Sequence, residues 1–427
     1  MKNNHLVRKI SMLLSSTILG QIFIFATLPL VTRIYSSEEY GLLSVYSATL
    51  MFFSFCGTLN YDLAIPIEEN KMKAHSLVKL SVILLLFSNF LLLILLFFVA
   101  DPLLKLLNSE SLINQYYLIP LGLTSLGLYS VYSQWRLREL DYKTIAKTKL
   151  VQSVSQNLFA LAFGLVISSG ASLILSKILS QSMGIRTLIN KYKQDELVRI
   201  KKNETTIKEY KTILIRYKDF AFYTTPRRYL GDLTMAAPIF LIAYLYNPQI
   251  VGWFGLANSV TQVPGNIISS AVSQVFYAES AKLKNGNVSE IQQNSKKMLF
   301  LLISLGLILY LPLLLWGEEI FSFVFGEEWK SAGVYASLLF WALYARMIFK
   351  PISNIFEIFE KQFLALMLNV FRFLSIIAIY FIAIFLNLDP EGIILIYSIT
   401  MALIYFLQFL LAQKILKMKI KSGDNAE

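Results

Sequence analysis

The chain has 427 residues, of which 56% are hydrophobic and 15% charged, and 39 Lys and Arg outnumber 27 Asp and Glu for a formal net charge of +12. So apolar a composition excludes a water-soluble globule, whose surface needs charged and mixed residues. The positive excess does not mark a nucleic-acid partner, because the basic residues lie between apolar runs rather than among stacking aromatics on one solvated face. A single cysteine, Cys56, and two histidines, His5 and His75, point away from an intramolecular disulfide and from any His or Cys metal centre. No cofactor is expected.

At the N-terminus Lys2, Arg8 and Lys9 precede an apolar stretch in the manner of a signal peptide. The stretch is long enough to span a bilayer and lacks a small-x-small cleavage site, so it reads as a retained first helix. Counting spans of about 20 apolar residues predicts helices near 11–33, 42–63, 79–100, 113–135, 149–168 and 171–189. A second set follows near 219–246, 250–276, 295–316, 332–350, 362–386 and 391–413. The fold class predicted is an all-α integral membrane protein of about twelve transmembrane helices. Spans six, seven and ten are the least apolar and need partner helices to insert.

Loop charge tests that count, since Lys and Arg are retained on the cytoplasmic side. One side carries Lys71, Lys73 and Lys79, then Arg136, Arg138, Lys143, Lys147 and Lys149, then the stretch from Arg186 to Lys218. Lys282, Lys284, Lys296 and Lys297 follow, then Arg346, Lys350 and Lys361, and finally Lys414, Lys417, Lys419 and Lys421. The other side holds only Arg33, Lys105 and Lys330. Both termini are therefore expected in the cytoplasm. External connections are short, the longest being Gly317 to Ser331, which leaves no room for a large external catalytic domain. Asn190 to Lys218 is the one long loop, weakly helical in pattern, and it joins two halves.

A repeat supports that division: Gly20 pairs with Gly231 and Gly41 with Gly252 at the same offset of 211 residues (231 − 20 and 252 − 41). Leu19 and Leu230, Ala26 and Ala237, Leu30 and Leu241, and Tyr35 and Tyr246 keep that frame. The predicted organisation is an N-terminal six-helix lobe, 1–190, a cytoplasmic linker, 191–217, and a C-terminal six-helix lobe, 218–427. An even number of spans in each half relates the lobes by a pseudo-two-fold axis along the membrane normal.

Charges inside spans persist mainly where they face a cavity or a partner. Lys177, Arg227, Arg228 and Arg372 are the basic ones. Adjacent arginines cannot share one helix face, so at least one of Arg227 and Arg228 should reach an aqueous lumen. The alternative is local: Arg228 pairs with Asp232 four residues on, and Lys177 snorkels to the interface. Arg372 has no acidic neighbour on its own helix. An excess of cations prepares a lumen for an anionic substrate, and the planar arginine fork suits phosphate. On span eight Asn258, Gln262, Asn266, Ser270 and Gln274 recur every four residues and form one polar stripe, able either to contact sugar hydroxyls or to bond neighbouring helices. Thr224, Arg228 and Asp232 make a similar stripe on span seven, with Asp232 the candidate for ion or proton coupling. Pro226 and Pro238, with Gly231 between them, make span seven the helix expected to bend.

Within the first two spans Gly20, Gln21, Pro29, Leu30, Thr32, Arg33, Ile34, Tyr35, Ser36, Glu39, Tyr40 and Gly41, followed by Tyr61, Asp62, Ala64 and Ile65, resemble the N-terminal signature of the Wzx-type oligosaccharide flippases. Phe325, Gly326, Glu327, Glu328, Trp329 and Ala332 resemble that family's segment before span ten, while Ser37 stands where a proline is usual. The superfamily also holds multidrug exporters and peptidoglycan lipid flippases. The resemblance implies a MATE-like fold in a bacterial inner membrane. It also implies movement of a polyprenyl-diphosphate-linked oligosaccharide repeat unit between leaflets by alternating access, for O-antigen (lipopolysaccharide), capsule or exopolysaccharide synthesis. The partners implied are that lipid-linked sugar, membrane lipid and other polysaccharide-assembly membrane proteins. On that basis Lys177, Arg227, Arg228 and Arg372 are expected to hold the diphosphate or acidic sugars, and Asn258, Gln262 and Asn266 the glycan. A cation-coupled multidrug exporter would call for a more acidic or aromatic lumen. A membrane glycosyltransferase or polymerase would call for catalytic groups on a sizeable aqueous loop.

Overall fold

The computed structural model describes residues 2–195, 207–283 and 287–424, and among them every regular element is a helix. In chain order these are α1 (Lys2–Thr32), α2 (Ser37–Phe52), α3 (Lys71–Leu106), α4 (Leu118–Arg138), α5 (Tyr142–Gly164), α6 (Gly170–Ser182), α7 (Ile185–Gln194) and α8 (Ile207–Arg216). Then come α9 (Thr225–Leu245), α10 (Pro248–Leu283), α11 (Val288–Phe325), α12 (Lys330–Leu338), α13 (Phe340–Phe349), α14 (Asn354–Ile358), α15 (Gln362–Leu386) and α16 (Pro390–Asp424). Each of the twelve expected spans corresponds to one of these helices or to a consecutive pair. By length and composition alone five are apolar enough to cross a membrane, or six if a pair bent by 48° around Leu339 is one span.

Helix starts follow local chemistry. The Ser36 hydroxyl accepts from the Glu39 N–H while the Glu39 carboxylate accepts from the Ser36 N–H, a capping box that opens α2. Asn70 caps α3 and Asp141 caps α5 in the same sense. The burial pattern is inverted relative to a soluble protein. Phe97 and Phe98 on α3 are 68% and 72% exposed, whereas Asp62, Asn89, Arg136 and Thr148 are buried. Apolar groups face outward where lipid is the solvent, and polar groups find partners inside.

Three local departures from expectation have physical causes. Span two, expected over 42–63, ends its α-helix at Phe52 and continues through 3-10 turns at Ser54–Cys56 and Tyr61–Ala64, with Leu59 and Asn60 at φ of 50° and 57°. Asparagine tolerates this left-handed backbone; leucine does not readily. The connector expected as a long loop carries the last turns of α7 and all of α8. The stretch after Trp316, expected as an external loop, is a helical continuation of α11 beyond a break at Trp316 (φ −133°, ψ 32°). That break lies between Pro312 and Gly317 and lets Gly317 meet Gly333: a Cβ on Gly333 would stand 2.2 Å from the Gly317 carbonyl oxygen.

The chain forms two compact units, Met1–Gly252 and Trp253–Glu427. In the first, α1 packs on α5, α5 and α2 on α6, α3 on α4, and α9 on α2. Among its described residues, apolar cores centre on Leu92, Leu96 and Ile174 and on Leu77, Val131 and Trp135. In the second, α11 packs on α12 and α13, and α13 and α15 pack on α16.

Candidate functional site

In the first unit the polar face of α9 is held by the broken end of span two. The Ser54 hydroxyl donates to Asp232 Oδ2 at 2.8 Å, and Arg228 Nη1 donates to Asn60 Oδ1 at 2.8 Å. Asn60 Nδ2 donates in turn to Thr225 Oγ1 at 2.9 Å. Arg228 and Asp232 thus bond to residues of span two, and the i,i+4 ion pair that the spacing allows does not form. The left-handed turn at Asn60 aims its amide at both α9 partners. Phe55 and Tyr229 close the contact edge to face, 5.2 Å apart.

Span seven enters through a π-helical turn, Phe220–Thr224, and restarts as α9 with Pro226 in its first turn. A proline there needs no N–H bond, which is why it is tolerated. Arg227 and Arg228 are both exposed, and among the described residues no hydrogen bond or ion pair reaches Arg227. Lys177 does not snorkel: its Nζ donates to Ser47 Oγ on α2 at 2.6 Å, with no carboxylate in contact. Of the signature residues, Arg33 is exposed in the turn between α1 and α2, and Tyr40 is half-buried in the first turn of α2. Gly41 lies where α2 crosses the start of α10: its Cβ would stand 2.0 Å from the Pro248 carbonyl oxygen.

In the second unit α10 is continuous, so the amide stripe is one face. Asn258, Gln262 and Asn266 are half-buried; Ser270 and Gln274 are exposed. Gln262 donates to Asn258 Oδ1 and accepts from Arg346 Nη1 at 3.0 Å. Arg372 sits over the Tyr405 ring, 4.6 Å from its centroid, with long 3.5 Å contacts to Asn369 and Gln408. Arg346 and Lys350 were grouped with the loop cations in the sequence because they end a span. The legible signal was that Arg346 falls inside span ten rather than after it.

One further polar residue emerges from the fold. Asp62, 4% exposed, accepts from the Thr58 hydroxyl and from Ser130 Oγ at 2.6 Å. Among the described residues no group of His, Cys, Asp or Glu is arranged to hold a metal ion.

These features define a multi-pass membrane protein, helical throughout its described residues. The fold is shared with an inward-facing MATE multidrug resistance transporter of the MOP superfamily, at a TM-score of 0.71 and 14% identity over 96% of this chain and 98% of that one. It is shared equally with the lipid II flippase MurJ in an inward closed conformation, at a TM-score of 0.71 and 14% identity over 96% and 87% of the two chains. The chain belongs to the polysaccharide biosynthesis protein family, matching it over residues 30–334. It is 25% identical over 138 residues to the capsular polysaccharide biosynthesis protein CapF of Staphylococcus aureus, a stretch that makes up 31% of this chain and spans 35% of CapF.

Proposed function

We propose that the protein is a flippase that carries a polyprenyl-diphosphate-linked oligosaccharide repeat unit across a bacterial inner membrane for surface polysaccharide assembly. Two six-helix lobes, 1–190 and 218–427, alternate access, with both termini in the cytoplasm. The observation that carries the reading is that, among the described residues, Lys177, Arg227 and Arg372, each on an expected span, are supported by hydroxyl, amide or ring groups or by nothing, and not by a carboxylate. Cations left uncompensated in lipid call for an anionic ligand, and the diphosphate supplies it. Family membership points to polysaccharide, and the fold shared with a lipid II flippase is suited to a lipid-linked cargo.

In this reading Lys177, Arg227, Arg228 and Arg372 bind the diphosphate or acidic sugars, Asn258, Gln262 and Asn266 contact the glycan, and Asp232 couples transport to an ion or proton. Deleting the protein in its native host should abolish surface polysaccharide and trap intact lipid-linked units at the cytoplasmic face. Re-expression with Arg228→Gln and Arg372→Gln together should leave the units trapped at normal protein levels. Full polysaccharide from that double variant would remove the charge-based part of the proposal.

A further inference from the structure

The short helix α8 is amphipathic, and its two faces meet different surroundings. On one face Ile213 and, just past the helix, Tyr217 are buried in the core built around Leu77 and Trp135. Three bonds fix this docking: Ser76 Oγ donates to Glu209 at 2.7 Å, the Tyr61 hydroxyl to the Leu214 carbonyl at 3.2 Å, and the Tyr217 hydroxyl to Glu68 at 2.8 Å. The other face is exposed and carries Ile207, Lys208, Lys211 and Ile215, and Lys218 follows, also exposed. Among the described residues no hydrogen bond or ion pair reaches the ammonium of Lys208, Lys211 or Lys218. The acids of this stretch do not cancel those charges, since Glu209 is turned inward onto Ser76 and Asp219 is one against three.

The place where α8 docks sets its depth. After Lys79, α3 runs through the apolar stretch 80–100, whose 21 residues span about 31 Å, the thickness of a hydrocarbon core. Ser76 precedes that stretch by four residues, about 6 Å, and so lies in the polar layer, about 5–7 Å thick on each side of the core. Its position around the helix matters equally. Ile83, Phe87, Phe90 and Ile94 lie 7, 11, 14 and 18 residues beyond Ser76, so they share its face, and all four are exposed. So apolar an exposed row is one that lipid covers. Helix α8 therefore sits at the foot of a lipid-facing row, on the perimeter of its unit, with its isoleucines and lysines turned outward at the level of the headgroups. Isoleucines there reach acyl chains while lysine stems carry their charge to phosphates.

We infer that α8 is an interfacial strap that binds the anionic phospholipid headgroups of the leaflet on its side through Lys208, Lys211 and Lys218, with Ile207 and Ile215 seated among them. The three lysines are spread along about 15 Å of chain, which matches a surface of separate anionic headgroups and not a single phosphate. Attraction of basic residues to such a surface falls off within a Debye length, so the headgroup depth of α8 is what makes its lysines effective. The inference needs the chain to span a membrane; it does not need the flippase reading.

The test uses the full-length protein carrying Cys56→Ser and Thr212→Cys, labelled with a fluorophore at position 212 on the exposed face of α8, in lipid nanodiscs. Discs of phosphatidylcholine alone are compared with discs in which about a quarter of the lipid is phosphatidylglycerol, each doped with lipid spin-labelled at the headgroup as quencher. Quenching should be about twofold stronger or more in the anionic discs and should return to the neutral-disc level in high salt. Lys208→Gln, Lys211→Gln and Lys218→Gln together should abolish the difference between discs, and Arg at the same three positions should restore it. Because no described residue bonds these ammonium groups, the triple Gln variant should melt as its parent does. The salt response of the parent reads the same contact without any substitution. Weak quenching in both discs would place α8 against water, and equally strong quenching in both would reduce the contact to an apolar one; either result overturns the proposal.

Discussion

Asp62 shows how far a side chain's role depends on partners distant in sequence. It stands in a 3-10 turn with Tyr61, Ala64 and Ile65, all nearly inaccessible, so this part of the family signature is a packed corner. Its carboxylate accepts from Thr58, four residues earlier, and from Ser130, 68 residues away on α4. Asp62→Ala leaves two hydroxyls without their acceptor and should lower stability by about 2–3 kcal/mol. Asp62→Asn keeps one acceptor and should cost about 1 kcal/mol. Thermal unfolding in detergent micelles reads both, and equal melting of the two variants would argue that the bonds contribute nothing. The sequence displayed Asp62 as part of a motif but not its use, since nothing local announces Ser130. The same limit applies to Arg228 and Asp232: their spacing permits an ion pair, while the residues that bond them, Asn60 and Ser54, lie on another span.

The connector between the halves carries the largest gap between pattern and structure among the elements. Residues 190–218 are charged and only weakly periodic, which reads as loop, yet α7 and α8 are fastened to the ends of α3 and α4. Tyr192 enters an aromatic cage, edge on to Trp135 at 5.1 Å and Tyr132 at 5.3 Å and stacked on His75 at 5.5 Å. Asp195 accepts from both the Trp135 indole and Arg136. Tyr217 donates to Glu68 at 2.8 Å, and Ser76 to Glu209 at 2.7 Å. Such docking comes from tertiary partners, not propensity, so no window of sequence reveals it. The hydrophobic spans were legible because lipid demands about 20 apolar residues in a row, whereas a short amphipathic helix on a protein surface meets no such demand.

Removing Asp195 leaves the Arg136 guanidinium, 6% exposed, with Asp141 at 4.0 Å as its one carboxylate among the described residues. Asp195→Ala should therefore cost about 3 kcal/mol, and Arg136→Met combined with Asp195→Leu should cost less than Asp195→Ala, because no charge is then stranded. Limited proteolysis of the connector together with melting reads the difference; a double variant as unstable as the single one would contradict it. The same connector has a defined acid limit. Burial pushes the Glu68 carboxyl up, but the Asn70 N–H, the Tyr217 hydroxyl and Arg216 outweigh it and hold the group below its usual range. Asp141 is likewise held low: burial opposes its charge, and the bonds from Thr144 and Lys191 prevail. Carboxyls with depressed folded values stabilise fully above their unfolded values of about 4 and lose that contribution as pH falls through the folded ones. Burial also holds the His75 imidazole, stacked on Tyr192, down to about 4, so the unfolded chain takes up a proton there first. Protease resistance of the connector should therefore stay flat from about pH 8 to pH 7, decline as pH falls below about 6.5, and fall further below about pH 4 as Glu68 and Asp141 are protonated. His75→Gln should remove the decline above about pH 5, and a decline that persists in that variant would assign it to another group.

For the molecule as a whole, the repeat of 211 residues meets a test it was not drawn from. The two glycines it equates, Gly41 and Gly252, touch each other: a Cβ on Gly41 would lie 3.2 Å from the Gly252 nitrogen, and one on Gly252 would lie 3.0 Å from the Gly41 nitrogen. Their further neighbours correspond as well. Gly41 faces the Pro248 carbonyl and Gly252 the Ser37 carbonyl, and Ser37 and Pro248 are again one repeat apart. A contact that maps onto itself when the repeats are exchanged is what a two-fold relation requires of residues near its axis, and random identities among common membrane residues do not produce it. Only glycine permits such proximity, because the atoms opposite are main chain and cannot swing away. Gly41→Ala and Gly252→Ala should each force α2 and the start of α10 apart, at about 1–3 kcal/mol for overpacking. Because the contact is reciprocal, the two single variants should melt alike. The double variant should cost less than their sum, since helices already separated by one methyl accommodate the second. Additive losses, or one variant far milder than the other, would show that the two sides of the crossing are independent and that the match in frame is coincidence.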